Sequence, residues 1–282
     1  MKKIVLSILV VSSLLISAEV TVDQEQLKIE IAKAKEDAQK ASDRVKELEA
    51  QLPPNEQIIT HTELGFIQTE GNTDTASYYF HFDLKKAWDK HLFTFSADGQ
   101  YAEDRGKQSK NKFLLEAEYA YSLTDRLSAT YLLGYKQDRF SGFGYQAYTG
   151  PGLRYLTFKT DTQRLDLEGN ILYSEDEVEY PLYFLNPNQS NPTEKDSYAS
   201  YRAKALYSWQ ALSNLKFEQE LSYRGSFEKA DNYFVFSQST LSSKISDMFS
   251  AGIGYTVDYT NSPPTSKEYT DRTFTAKLMM DY

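Results

Sequence analysis

The sequence contains no cysteine. That excludes a disulfide scaffold, a Cys-ligated metal site, a catalytic thiol and an N-terminal lipoprotein anchor. After residue 18 no apolar run is long enough to cross a membrane as a helix, and the mean hydropathy is −0.57. Histidine is scarce, with three residues, and neither a G-x-S-x-G nor an H-E-x-x-H motif occurs. Positive charge is in deficit, 31 Lys and Arg against 40 Asp and Glu, which argues against nucleic acid or another polyanion as a partner. No cofactor and no metal site is expected.

Aromatic residues, in contrast, are plentiful: 22 Tyr and 16 Phe. Met1–Ala18 carries two lysines, an apolar run from Ile4 to Ile16 and then Ser17-Ala18, the pattern of a secretory signal peptide cleaved after Ala18. A retained anchor is the weaker reading, because the run is short for a span. Residues 19–52 have no Gly or Pro and are rich in Glu, Lys, Ala and Gln. Leu27, Ile31, Ala34, Ala38, Ala41, Val45, Leu48 and Leu52 form an a/d heptad seam, ended by Pro53-Pro54. The segment reads as a coiled coil for self-association or partner docking, or as a solvated helix, since its central seam is alanine. The expected organisation is thus a signal peptide at 1–18, a periplasmic heptad helix and linker at 19–55, and a barrel at 56–282.

From His61 the period changes from 3.5 to 2. Twelve strand-like segments follow, at about 61–69, 76–88, 92–102, 111–122, 127–138, 147–158, 163–174, 198–210, 215–226, 232–243, 248–260 and 269–282. Short connections such as Asp89-Lys90 and Thr124–Arg126 alternate with longer ones, among them Glu103–Lys110, Arg139–Gln146 and Ser174–Ser197. This alternation marks periplasmic turns and extracellular loops. All prolines except Pro151 lie outside the strands. An even strand count puts both termini in the periplasm.

The two faces of the strands differ sharply. One carries residues such as Phe113, Leu115, Ala117, Tyr119 and Tyr121, or Phe274, Ala276, Leu278, Met280 and Tyr282. In the eight clearest strands this face holds no charge, although 25% of the chain is charged. A soluble barrel could hide the apolar face inside, but twelve strands would leave a wide cavity to fill. Turned outward, that face meets lipid, where a charge at mid-depth costs roughly 2–4 kcal/mol. The expected fold is therefore all-β: a twelve-stranded antiparallel transmembrane barrel with a short N-terminal helical segment.

The opposite face would then line a wet lumen with His81, Asp83, Glu116, Glu118, Arg164, Asp166, Glu168, Arg202, Lys204, Lys216, Glu218, Glu220, Arg224 and Lys277. These charges either tune a narrow channel or pair across the barrel and close it. His81 with Asp83 could also be the core of a hydrolase, whose turnover His81→Ala would abolish. The acidic stretch Glu175, Asp176, Glu177 and Glu179 is read as loop, folding inward, binding divalent cations or simply solvated. Expected partners are outer-membrane lipid and lipopolysaccharide, and the barrel-assembly machinery through the strand ending in Tyr282.

Three stretches carry a family likeness: Glu63–Thr75 (E-L-G-F-I-Q-T-E-G-N-T-D-T), Asp138–Phe143 (D-R-F-S-G-F) and Gly150–Tyr155 (G-P-G-L-R-Y). Over about Thr60–Tyr282 the chain resembles the salt-induced outer-membrane protein (YdiY-like) family, whose members are of unknown function. The resemblance implies an outer-membrane barrel and a link to osmotic conditions, and it supplies no catalytic residues. Each motif also has a structural reading: Gly71-Asn72 as a hairpin tip, Gly142 and Gly144 as bend points, and Gly150 and Gly152 as a bulge or close backbone approach.

Overall fold

The computed structural model describes residues 58–69, 75–179, 193–264 and 267–282, with Lys33, Glu36, Lys40 and Arg44. The signal peptide, the heptad seam, the Gly71-Asn72 tip and Pro181, Pro187 and Pro192 lie outside the described residues. The four isolated residues are helical and exposed, and Lys40 donates to Glu36 at 2.6 Å.

Alternation of apolar and polar side chains produces twelve strands. They are β1 (Ile58–Thr69), β2 (Thr75–Trp88), β3 (His91–Asp104), β4 (Lys107–Ser122), β5 (Leu127–Asp138) and β6 (Phe143–Lys159). The second half comprises β7 (Gln163–Glu179), β8 (Thr193–Leu212), β9 (Leu215–Ser226), β10 (Tyr233–Lys244), β11 (Phe249–Thr260) and β12 (Thr270–Asp281). Each pairs antiparallel with its sequence neighbours, and β1 returns to β12 to close the barrel.

The tight turns use local chemistry. Arg105 and Gly106, both at positive φ (50° and 71°), join β3 to β4 as a two-residue hairpin. At three other turns a hydroxyl accepts the backbone N–H three residues on: Thr124 from Leu127 (2.9 Å), Thr160 from Gln163 (2.9 Å) and Ser246 from Phe249 (3.0 Å).

The barrel is polar inside and apolar outside. Arg202 and Lys277 are 6% and 5% exposed, whereas Ile171 and Phe274 are 65% and 58% exposed. Such inversion suits a hydrocarbon surround, and closure pairs the edges of β1 and β12 from His61↔Asp281 to Leu64↔Leu278. Rings gather at both ends of the wall. Near the short turns Trp88 stacks on His91 at 5.3 Å, and His91 meets Tyr121 at 5.2 Å. Near the long loops Tyr201, Tyr223, Tyr233 and Tyr259 step across β8 to β11 at 5.8, 5.4 and 6.0 Å. Trp209 lies on the outer face near the end of β8, with Trp88 on the short-turn side.

Several connections are shorter than the sequence suggests. Glu103–Lys110 is strand except for Arg105-Gly106, and the Arg139–Gln146 loop shrinks to 139–142. Glu175, Asp176, Glu177 and Glu179 belong to β7 rather than to a loop, opposite Ser197, Asp196, Lys195 and Thr193 of β8. Beyond the bilayer a strand needs no apolar face, so its alternation fades while its ladder continues. Pro151 sits inside β6 with its ring outward, opposite Tyr131; the β6–β7 register passes from Thr149 to Gly152 without it. Close backbone approach does occur here, as a Cβ on Gly150 would lie 2.1 Å from the Ile171 carbonyl oxygen.

Candidate functional site

The inward side chains of β4, β6, β7 and β8 meet in a belt across the lumen. Arg202 of β8 donates to Glu116 of β4 (2.9 Å), to Glu168 of β7 (2.6 Å) and to Asn170 (3.1 Å). Because β4 and β8 are four strands apart in the closed order, the Arg202–Glu116 pair is a chord through the lumen, not a wall contact. Arg154 of β6 bridges Glu168 (3.0 Å) and Glu118, so two guanidinium groups hold three carboxylates. Tyr148 donates to Glu116 at 2.6 Å, and Gly134 makes room for it: a Cβ there would lie 2.1 Å from the Tyr148 ring. Each guanidinium is shared between carboxylates through charge-assisted hydrogen bonds, and all belong together because breaking one strands a charge.

A second chord lies beside the first. Lys112 of β4 and Lys136 of β5 both reach Asp258 of β11, the latter at 3.0 Å. Arg224 lies over the rings of Tyr148 and Phe234 at 4.7 and 4.5 Å and 3.9 Å from Asp176. Asp176 in turn accepts from the Tyr198 hydroxyl at 2.7 Å. Between the chords remains a cavity of about 100 Å³ lined by Glu116, Lys136, Tyr148, Arg202 and Arg224. That space, lined by charged and hydroxyl groups, is large enough to hold water.

The remaining expected lumen residues form separate pairs, and Glu220 of one such pair also lines that cavity. Lys204 pairs with Glu220 at 2.8 Å. Lys216 and Glu218 pair at 2.7 Å along β9 and are half-exposed towards the short-turn mouth, as is Arg164, which reaches Asp166 at 3.0 Å. Lys277 pairs with Glu63 at 2.8 Å and lies 5.0 Å over the Tyr79 ring. His81 is bracketed by Asp98 at 2.8 Å and Asp83 at 3.4 Å, while Ser96 donates to Asp83 at 2.6 Å. With a carboxylate on each ring nitrogen, His81 has none facing a serine, which disfavours nucleophilic use.

The expected lumen set leaves out Glu63, Lys112, Lys136, Tyr148 and Arg154, whereas Asp258 falls on the charged face in the sequence pattern. All of them share the inward alternation, the signal that would have found them. Among the described residues no His, Asp and Glu cluster is placed to hold a metal ion. The Asp138–Phe143 motif shapes the β5–β6 connection: Asp138 accepts from the Phe140 backbone at 3.0 Å and from the Ser141 hydroxyl at 2.8 Å, and Gly142 has φ 84°.

Residues 62–282 match the family model described as "Protein of unknown function, DUF481". No curated protein matches the chain in sequence. Among solved structures, an outer membrane channel from Pseudomonas putida F1 is 9% identical, with a TM-score of 0.45 over 82% of this chain and 96% of that one. The translocator domain of the autotransporter NalP from Neisseria meningitidis is 10% identical, with a TM-score of 0.43 over 89% and 97%. The NanC porin is 11% identical, with a TM-score of 0.43 over 80% and 98%.

Proposed function

We propose that this chain, which belongs to the DUF481 family, is an outer-membrane channel for small solutes whose lumen is closed at rest by the ion-pair belt. The observation that carries the reading is the Arg202–Glu116 chord inside an apolar wall. A hydrated, charged interior is what a solute path needs, and bridging pairs are what shuts it. The same belt supports the link to salt suggested by the family resemblance. Charges that a widening lumen exposes to electrolyte attract less strongly as the Debye length falls from about 10 Å at 0.1 M to about 3 Å at 1 M. In this reading the termini and the heptad helix face the periplasm, the outer wall meets lipid and lipopolysaccharide, the last strand engages the assembly machinery, and the helices can self-associate.

Planar-bilayer recording tests it. The wild-type barrel is expected to show small, infrequent openings at low salt. Conductance, corrected for bath conductivity, should rise at high salt and rise further in Glu116→Gln and Arg202→Gln. Silence from folded wild type and both variants removes the channel and leaves a second reading, which the crossing pairs also support: a structural or adhesive barrel with an occluded lumen.

A further inference from the structure

The wall itself has an incomplete seam. β1 is paired with β2 along its whole length, from Ile58↔Lys86 to Thr69↔Thr75. β12 is likewise paired with β11 up to Tyr259↔Thr270. Between β1 and β12 the register runs only from His61↔Asp281 to Leu64↔Leu278, supplemented by the Thr60–Tyr282 backbone pair at 2.7 and 2.9 Å. On the loop side of Leu64, Gly65–Thr69 and Thr273–Lys277 have no register pairs with each other among the described residues, although Gly65 still abuts β12: a Cβ there would lie 2.8 Å from the Ala276 carbonyl oxygen. Unpaired strand edges facing hydrocarbon are costly, so such a gap needs polar occupancy on one side and cover on the other.

A cleft of about 970 Å³ spans this gap and the strands beside it, β2 to β4 on one side and β11 on the other, lined by residues from both faces of the wall. Outside stand Leu64, Phe66, Tyr78 and Phe80; inside stand Gln100 and Lys277. Gln100 Oε1 is buried with no hydrogen-bond partner among the described residues. An orphaned acceptor of this kind costs stability unless a donor arrives. The neighbouring ammonium groups are already satisfied, Lys277 by Glu63 at 2.8 Å and Lys112 by Asp258.

From these features we infer that the upper β1–β12 seam is a lateral port, binding an uncharged single-chain amphiphile with its hydroxyl or amide donor on Gln100 and its chain lying out between the strand edges towards lipid. The satisfied lysines leave no call for an anionic head, and the aromatic outer lip suits an alkyl chain. The port does not depend on conduction through the belt, because it lies in the wall and joins the loop-side lumen to the bilayer.

The test uses the full chain in nanodiscs with a diazirine-bearing long-chain fatty alcohol as the probe. Photolabelling should concentrate on the residues lining the cleft, be displaced by unlabelled alcohol, and fall several-fold in Gln100→Leu. The absence of native cysteine permits a clean lock: extending the register from Leu64↔Leu278 sets Phe66 opposite Ala276, so Phe66→Cys with Ala276→Cys bridges the gap only when it closes. Oxidation should then suppress labelling and reduction restore it. Ala276→Trp, which fills the cleft from outside, should suppress labelling without a bridge. Heat-modifiable electrophoretic mobility reports that each variant is folded. Labelling spread evenly round the barrel, or unchanged in folded Gln100→Leu and Ala276→Trp, overturns the port. A disulfide-linked dimer with no cleft labelling overturns it too, in favour of a second copy at the seam.

Discussion

Arg202 shows what a single residue does in an inverted protein. Its guanidinium is the common partner of Glu116 and Glu168, so its loss would leave Glu116 with no guanidinium partner and Glu168 sharing Arg154 with Glu118. Arg202→Leu is expected to lower the unfolding free energy in lipid vesicles by roughly 3–5 kcal/mol. Arg202→Leu combined with Glu116→Leu should lose less than the sum of the single changes, because the pair leaves together. Strictly additive losses in urea titrations would show that the chord is not an energetic unit. His81 has a different standing: with Asp98 at 2.8 Å and Asp83 at 3.4 Å on its two ring nitrogens, it ties β2 to β3.

Among the elements, the hairpins decide how the strands register. Gly106 has φ 71°, and a Cβ added there meets nothing within 4 Å, so any penalty on substitution is purely that of the backbone. Gly106→Val should destabilise the barrel by roughly 1–2 kcal/mol, and Gly106→Asn, which tolerates the left-handed region, should recover most of it; equal losses would refute the turn assignment. The strands themselves were legible in the sequence wherever lipid forces alternation, as in Leu127–Tyr135 of β5 or Phe274–Tyr282 of β12. They were illegible where β3, β4, β7 and β8 run on past that zone: Glu175–Glu179 and Lys107–Lys110 look like loop because water accepts either face. The inward position of Glu116 and Arg202 could be read from period 2. Their pairing could not, since contacts between strands four apart are set by closure and stagger of the whole ring.

For the whole molecule, polarity is the testable property. Leu133, outward on β5 and 53% exposed, stands near the middle of the wall. Leu133→Arg should lower stability in vesicles by roughly 2–4 kcal/mol; no loss there would mean that this surface does not meet hydrocarbon. On the same wall, Gln219 donates to Ser237 and accepts from Ser239 across β9 and β10, so this polar spot is internally satisfied. The rings at either end have a practical corollary. Both indoles, Trp88 and Trp209, reside in the short-turn collar, and the opposite collar is built of phenols. Intrinsic tryptophan emission is therefore expected to act as a one-leaflet lamp: a membrane-impermeant quencher added to sealed vesicles should dim it according to which way each barrel was inserted, giving an orientation assay that needs no label.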